Sequence, residues 1–307
     1  MIQVNAVLPV TLYGGTERVM WYLGKELASM GHKVCFLCRP GSHSSFAEIT
    51  TTTDPYAYLE TNALHRFDIV HFNNGVPPNF QKKPYVVTFH GNNVPETLPK
   101  NSIFVSQNHA KRFGSSSYVY NGLDWSDYSY ENLNRPRTHF HFLGNAAWRV
   151  KNVKGAIRIA RAADKGKIMI LGGHRLNFKM GFRFTLSPKA NFCGMVGGDE
   201  KLRLLYSSKG LIFPVKWDEP FGLAVTESLF CGAPVFASQR GSLPELVIPE
   251  VGFLSNDESS LATHIAEFAN SYSPIRCREY AADNFNSRIM ALNYLKKYEE
   301  ALNASEG

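Results

Sequence analysis

The sequence predicts an α/β protein of two successive doubly wound domains, on three observations. Short β-branched or apolar runs alternate with glycine or polar turns and then with amphipathic stretches of helical period, the order that builds parallel sheets covered by helices. From Asp124 to Arg137 the stretch DWSDYSYENLNRPR is polar and aromatic, without apolar period, and reads as a linker. After it a second alternating set begins. The predicted layout is a first domain over 1–125, a linker over 126–138, a second domain over 139–285 and a final amphipathic helix over 286–307.

In the first half the expected strands are IQVNAVLP, KVCFLC, FDIVHFNN, PYVVTFH, SIFVSQ and SYVYN. TERVMWYLGKELASMG is an amphipathic helix, stopped by Gly31, a residue that readily takes the left-handed turn past a helix end. In the second half HFHFLG, KIMILGG, NFCGMV, GLIFPV and APVFAS are the expected strands, with helices VKGAIRIARAA, DEKLRLLYSS and GLAVTESLFCG between them. The tail NSRIMALNYLKKYEEAL has the apolar stripe of a helix.

With 44% hydrophobic and 13% aromatic residues among 307, the chain can bury large cores and is about the length of two ordinary domains. A formal charge of +7 points to an acidic partner: a phosphate-bearing ligand, an anionic membrane surface or nucleic acid. The basic residues are dispersed, with no long block and no zinc-finger spacing, so nucleic acid is not the expected partner. The five cysteines, at irregular spacing, fit free thiols; Cys35 and Cys38 lie three apart in a strand-like run, on opposite faces, and no second cysteine pair completes a zinc site. The start MIQVNAVLPV lacks the pattern of a secretory signal, and no run of eighteen apolar residues occurs, so a cytoplasmic location is expected.

Doubly wound domains bind ligands beyond the carboxyl ends of their strands, which directs attention to four loops. In TLYGGTER, Gly14 and Gly15 let a ligand approach the backbone and the following helix terminus, although neither G-x-G-x-x-G nor a P-loop is present; a tight turn capped by Thr16 is the plainer reading. In VVTFHGNN, His90 ends an apolar strand beside Gly91, placed to touch a ligand; a histidine with no special role is the plainer reading, and the same holds for His71 in IVHFNN and His109 in SQNHAK. In FLGNAAWRVKNVKGAIRIA, Gly144 ends a strand and Arg149, Lys151 and Lys154 gather cations before a helix, which suits a diphosphate as well as simple surface solubility. In KWDEPFGLAVTESLFCG, a helix opens near Gly222, so the N–H groups of Phe221, Gly222 and Leu223 can meet an anion. Glu219 precedes this terminus and Glu227 leans back toward it. Carboxylates beside an anion site make sense if the ligand also carries diols, one on a ribose and one on a hexose, as in a nucleotide sugar. The alternative is a capping acid followed by a solvated one.

EPFGLAVTE (Glu219 to Glu227), followed by GAPV and by GSLPE (Gly241 to Glu245), resembles the E-x7-E region of retaining GT-B glycosyltransferases, specifically glycosyltransferase family 4. The Gly14-Gly15 loop, FHG at His90, YNGLD at Tyr120, LGG at Leu171 and NFCGMV occur in the family's order, so the resemblance extends over most of the chain. It implies two Rossmann-like domains facing across a cleft, with the final helix crossing back to the first. It also implies that Glu219 holds donor hexose hydroxyls near the reacting centre, Glu227 grips the ribose, and the backbone at Phe221, Gly222 and Leu223 meets the sugar and β-phosphate. His90 contacts the donor sugar and shapes the acceptor side, Gly15 approaches the diphosphate, Lys151 neutralises the leaving group, and the backbone at Gly194, Met195 and Val196 reads the base. One departure stands out: Asn145 occupies the place of the family's arginine, leaving Lys151 to act alone or with Arg149 or Lys154. The first domain, about 125 residues, is also short for the family, which implies trimmed acceptor loops.

The activity implied is retaining hexosyl transfer from a nucleotide-diphosphate sugar to a sugar or lipid-linked glycan acceptor, in glycan, lipopolysaccharide or other glycoconjugate synthesis. No cofactor and no metal are expected beyond that donor, as no D-x-D motif occurs. The basic charge adds an expected peripheral contact with the inner face of an anionic membrane. The alternatives are a nucleotide-sugar-binding protein with weak or no transfer and a GT-B epimerase or hydrolase.

Overall fold

The computed structural model describes residues 1–10, 14–128, 132–164, 166–177 and 183–306. The described residues fall into two compact units, one comprising Met1–Val10, Gly14–Trp125 and the chain from Phe285 onward, the other Ser126–Asn284.

The first unit contains β1 (Ile2–Gln3), α1 (Gly15–Ser29), β2 (Cys35–Cys38), β3 (Glu48–Thr51), α2 (Pro55–Leu59), β4 (Val70–Asn73), β5 (Tyr85–Phe89), β6 (Ser102–Phe104) and α3 (Gln107–Arg112). Its strands run parallel in the order β3-β2-β1-β4-β5-β6. This doubly wound order grows one way to β3 and then reverses from β1 to β4, which opens a crevice at the strand ends. β2 is buried along its whole length, as a parallel strand covered on both faces must be, and its Cys35 and Cys38 are free buried thiols.

Two expected strands shrink. IQVNAVLP pairs only at Ile2–Gln3, because the Ala6 amide turns back onto the Val4 carbonyl and ends the ladder. SYVYN contributes one bridge, Tyr118 to Phe104, and no strand. Among the described residues of this unit one strand goes unpredicted: β3, EITT, is a half-exposed edge whose charge and threonines mask its pairing.

The second unit runs β7 (His139–Leu143), α4 (Val153–Asp164), β8 (Ile168–Leu171), β9 (Leu176–Asn177), β10 (Arg183–Phe184), β11 (Ala190–Phe192), α5 (Gly198–Tyr206), β12 (Ser208–Phe213), α6 (Leu223–Phe230), β13 (Val235–Ala237), α7 (Leu243–Leu246), β14 (Gly252–Leu254), α8 (Glu258–Phe268) and α9 (Pro274–Asn284). Its main sheet is parallel in the order β11-β8-β7-β12-β13-β14, the same winding as the first, with the reversal between β7 and β12. β9 and β10 form a separate antiparallel pair.

The chain then returns to the first unit as α10 (Ser287–Glu306), which packs on α1 and β5. A buried polar chain fixes it there. His71 on β4 bonds the Tyr298 hydroxyl at 2.8 Å and the Thr88 hydroxyl at 2.8 Å, and Thr88 bonds the Tyr294 hydroxyl at 3.1 Å. Burial, helped by nearby His90, holds the His71 imidazole well below its ordinary pKa and hence neutral. His71 is a structural residue.

Candidate functional site

In the second unit Lys151, Glu219 and Gly222 lie in the two loops at the reversal point. β7 runs into the loop from Gly144, and β12 runs into the loop that ends at Gly222; these are the two central strands on either side of the switch. Two bonds stitch the loops together. Asn152, in the left-handed region at φ 56°, donates from Nδ2 to the Pro214 carbonyl at 2.8 Å, and the Lys216 amide bonds the Val150 carbonyl at 2.7 Å.

That stitching sets Lys151 against Glu219. Nζ lies 2.6 Å from Oε2, and the side chains of both residues are about nine-tenths buried. The Trp217 indole N–H donates to the same Oε2 at 2.7 Å. Pairing of this quality is what makes two buried charges tolerable, since each alone loses its hydration. The Glu219 backbone is fixed from the other side by GSLPE. Gly241 sits at φ +59°, and a Cβ there would lie 2.3 Å from the Glu219 amide nitrogen and carbonyl oxygen, so only glycine fits. The Ser242 amide bonds the Glu219 carbonyl at 2.9 Å, and its hydroxyl donates to the Phe221 carbonyl at 2.5 Å.

α6 starts at Leu223 behind Gly222, whose φ of +100° turns the chain into the helix with no side-chain cap. A helix start leaves first-turn amides without intrahelical partners, the general basis of an anion site. Glu227 lies in this helix and is buried, but not as an isolated grip for a ligand: Oε1 accepts from Lys201 Nζ at 2.5 Å and from the Tyr128 hydroxyl. Beneath it His141 bridges the hydroxyls of Ser208 (2.6 Å) and Ser228 (2.8 Å), and burial pushes its pKa down to about 3.

The remaining donor-side residues are placed as follows. Asn145 caps its own loop, Oδ1 accepting from the Ala147 amide at 2.9 Å. Arg149 and Lys154 are exposed, and neither reaches the Lys151–Glu219 pair. Gly194 accepts from the amides of Gly172 and Gly173, tying the end of β11 to the end of β8, with exposed Met195 and half-buried Val196 next in the chain. Among the described residues no three His, Cys, Asp or Glu side chains gather as a metal-binding cluster.

In the first unit, Gly14 caps α1 and Gly15 opens it, while Thr11 to Tyr13 of that loop lie outside the described residues. His90 stands at the end of β5. Asn73 donates from Nδ2 to the Gln3 carbonyl, which turns its Oδ1 toward His90 Nε2 at 2.9 Å. Nε2 therefore carries the proton, and buried Nδ1 keeps an acceptor lone pair with no hydrogen bond from the described residues. Burial, then the nearby His109, pushes the His90 pKa down to about 3. His109 is itself lowered to about 4, by burial first and Arg112 second, and bonds the Gly91 carbonyl at 3.1 Å.

Sequence reasoning missed Trp217, Lys201, Tyr128 and Asn152. A signal existed for Lys201: with Leu204 and Leu205 it occupies the buried stripe of α5, and a lysine there demands an acid. Tyr128 sits in the polar stretch read as linker, which offered no comparable signal.

Residues 137–271 match the family model described as Glycosyl transferases group 1, and residues 13–123 match Glycosyltransferase Family 4. An "Uncharacterized 41.2 kDa protein in cps region" of Klebsiella pneumoniae is 30% identical over 115 residues, which is 35% of this chain and 32% of that relative. The chain thus aligns with about a third of that curated relative's length. Among solved structures, AviGT4, a glycosyltransferase involved in Avilamycin A biosynthesis, superposes with a TM-score of 0.80 at 19% identity, covering 98% of this chain and 97% of its own. Anabaena Alr3699/HepE in complex with UDP-glucose gives 0.68 at 16%, covering 99% of each chain. These structural likenesses share the two-unit parallel α/β architecture. With its GT-B-type winding and two family models that together take in most of its length, the chain belongs to the glycosyltransferases of group 1 and family 4.

Proposed function

We propose that the protein transfers a hexose from a nucleotide-diphosphate sugar to a hydroxyl of a sugar or lipid-linked glycan, with retention at the anomeric carbon and without a metal. The observation that carries this reading is the Lys151–Glu219 pair at the switch point, directly before the open N-terminus of α6. Lys151 and the α6 amides supply positive potential for a departing diphosphate. Glu219 offers a carboxylate to hexose hydroxyls, and Glu227, held by Lys201 and Tyr128, is the ribose carboxylate. The bond from the anomeric carbon to the β-phosphate oxygen breaks, the acceptor oxygen bonds that carbon on the same face, and its proton goes to the departing phosphate. His90, with a neutral imidazole and an acceptor Nδ1, suits a sugar hydroxyl; Gly14 and Gly15 suit close approach of the diphosphate.

Two further supports come from relatives: the UDP-glucose complex of Alr3699/HepE fits a nucleotide-sugar donor, and the cps region of the Klebsiella relative fits polysaccharide synthesis. The net charge of +7 fits work in the cytoplasm beside an anionic membrane.

Calorimetry with UDP, GDP and ADP tests the donor. One of them binds at micromolar strength, Glu227→Ala weakens it at least tenfold, and Glu219→Ala leaves it within a few-fold while abolishing transfer, each tenfold being about 1.4 kcal/mol. Equal effects of the two substitutions on nucleotide affinity would contradict the assigned roles.

A further inference from the structure

Glu219 presents an asymmetric carboxylate. Oε2 receives two donors, Lys151 Nζ at 2.6 Å and Trp217 Nε1 at 2.7 Å, while neither reaches Oε1. The three side chains close a triangle, because Lys151 Nζ also lies 4.8 Å from the centre of the Trp217 ring and 5.3 Å from that of Phe213. The ammonium is thus shared between one carboxylate oxygen and two aromatic faces. Trp217 is steadied in turn by Trp148, edge to face at 5.9 Å.

The two donors differ in what a diphosphate does to them. A lysine ammonium is a mobile point charge on a flexible stem, and a diphosphate arriving at the α6 terminus competes with Glu219 for it. The indole N–H is a neutral donor on a ring with two torsions, two residues from Glu219 in the same loop, and a remote phosphate has little electrostatic hold on it. We propose that Trp217 is the positioning residue that keeps Glu219 in its sugar-binding orientation when Lys151 is drawn onto the donor diphosphate. Without that bond the carboxylate would lose its last fixed donor as the donor sugar needs Oε1. The aromatic faces add a second effect: they let Lys151 move from carboxylate to phosphate along a cation-tolerant surface. This inference rests on the donor site proposed above and assigns a role to a side chain outside the carboxylate pair.

The test is the structure of the wild-type protein soaked with whichever of UDP, GDP and ADP it binds, and of Trp217→Phe and Trp217→His treated alike. In the wild type Lys151 Nζ moves to a phosphate oxygen while the Trp217–Glu219 bond persists. In Trp217→Phe, which keeps a ring and removes the N–H, the Glu219 carboxylate rotates away once nucleotide is bound, although nucleotide affinity stays within about twofold, or about 0.4 kcal/mol. Trp217→His, which restores an N–H, recovers the wild-type orientation. A purely packing role for Trp217 predicts lower thermal stability and no change in Glu219 that depends on nucleotide. If Lys151 stays on Glu219 in the wild-type complex, or Glu219 keeps its orientation in Trp217→Phe, the positioning role is wrong and the donor site stands. If none of the three nucleotides binds, the proposed function fails and this inference fails with it.

Discussion

Lys151 and Glu219 are buried as partners, and the energetics of such a pair do not divide into two independent halves. Removing either side chain strands the other as a dehydrated charge, a loss of about 3–5 kcal/mol, whereas removing both leaves only a cavity and a lost hydrogen bond. Lys151→Ala and Glu219→Ala each lower the urea midpoint sharply, and the double variant is more stable than either single one. If the two single losses simply add in the double variant, the pair is not coupled in solution. The same logic separates Glu227 from Glu219. Glu227 accepts from Lys201 and from Tyr128, so Lys201→Met removes the opposite charge from a buried carboxylate that still accepts from the Tyr128 hydroxyl. At this scale the sequence put the two carboxylates at a helix opening by their spacing around Gly222, while Lys151 stood out from Arg149 and Lys154 only through the family resemblance. It was not legible for Trp217, because nothing in a single tryptophan two residues before an acid tells whether its N–H points inward.

Among the elements, the decisive one is the stitched pair of loops after β7 and β12. Asn152 serves it twice: its amide donates across to Pro214, and its Oδ1 accepts from the Gly155 amide and so starts α4. Its left-handed backbone is tolerated by asparagine better than by most residues. Asn152→Ala removes both bonds and adds backbone strain, so it destabilises the protein by about 2–4 kcal/mol. Hydrogen exchange at Val215 and Lys216 accelerates in that variant ahead of exchange in β8, and uniform acceleration would mean that the loops are not coupled through Asn152. The central strands were readable because apolar parallel strands write continuous runs, as in KIMILGG and GLIFPV. Edges and bridges were not: EITT looks like a loop because half of it faces water, and SYVYN looks like a strand although only Tyr118 pairs. Loop-to-loop bonds such as Asn152 to Pro214 join residues 62 apart in sequence and leave no local trace.

The whole molecule stores several neutral imidazoles, and these set its response to acid. His141 in one unit and His71 in the other are fully buried, with pKa values pushed down by burial, to about 3 for His141. The unfolded chain binds these protons near pH 6.5 and the folded chain does not. Stability is therefore full above that pH and declines as pH falls from about 6.5 toward the folded values, by about 2 kcal/mol at pH 5 for His141 alone. Thermal midpoints measured from pH 7.5 to 4.5 fall steadily below 6.5, and His141→Asn flattens part of that slope; an unchanged slope would show that His141 is not the group responsible. A different consequence follows from α10, the element that closes the first unit from the far end of the chain. Synthesis proceeds from the amino terminus, so the ribosome releases every residue of Ser126–Asn284 before it delivers Tyr294 and Tyr298. During translation His71 and Thr88 wait without those hydroxyls, and the half begun first is the half completed last.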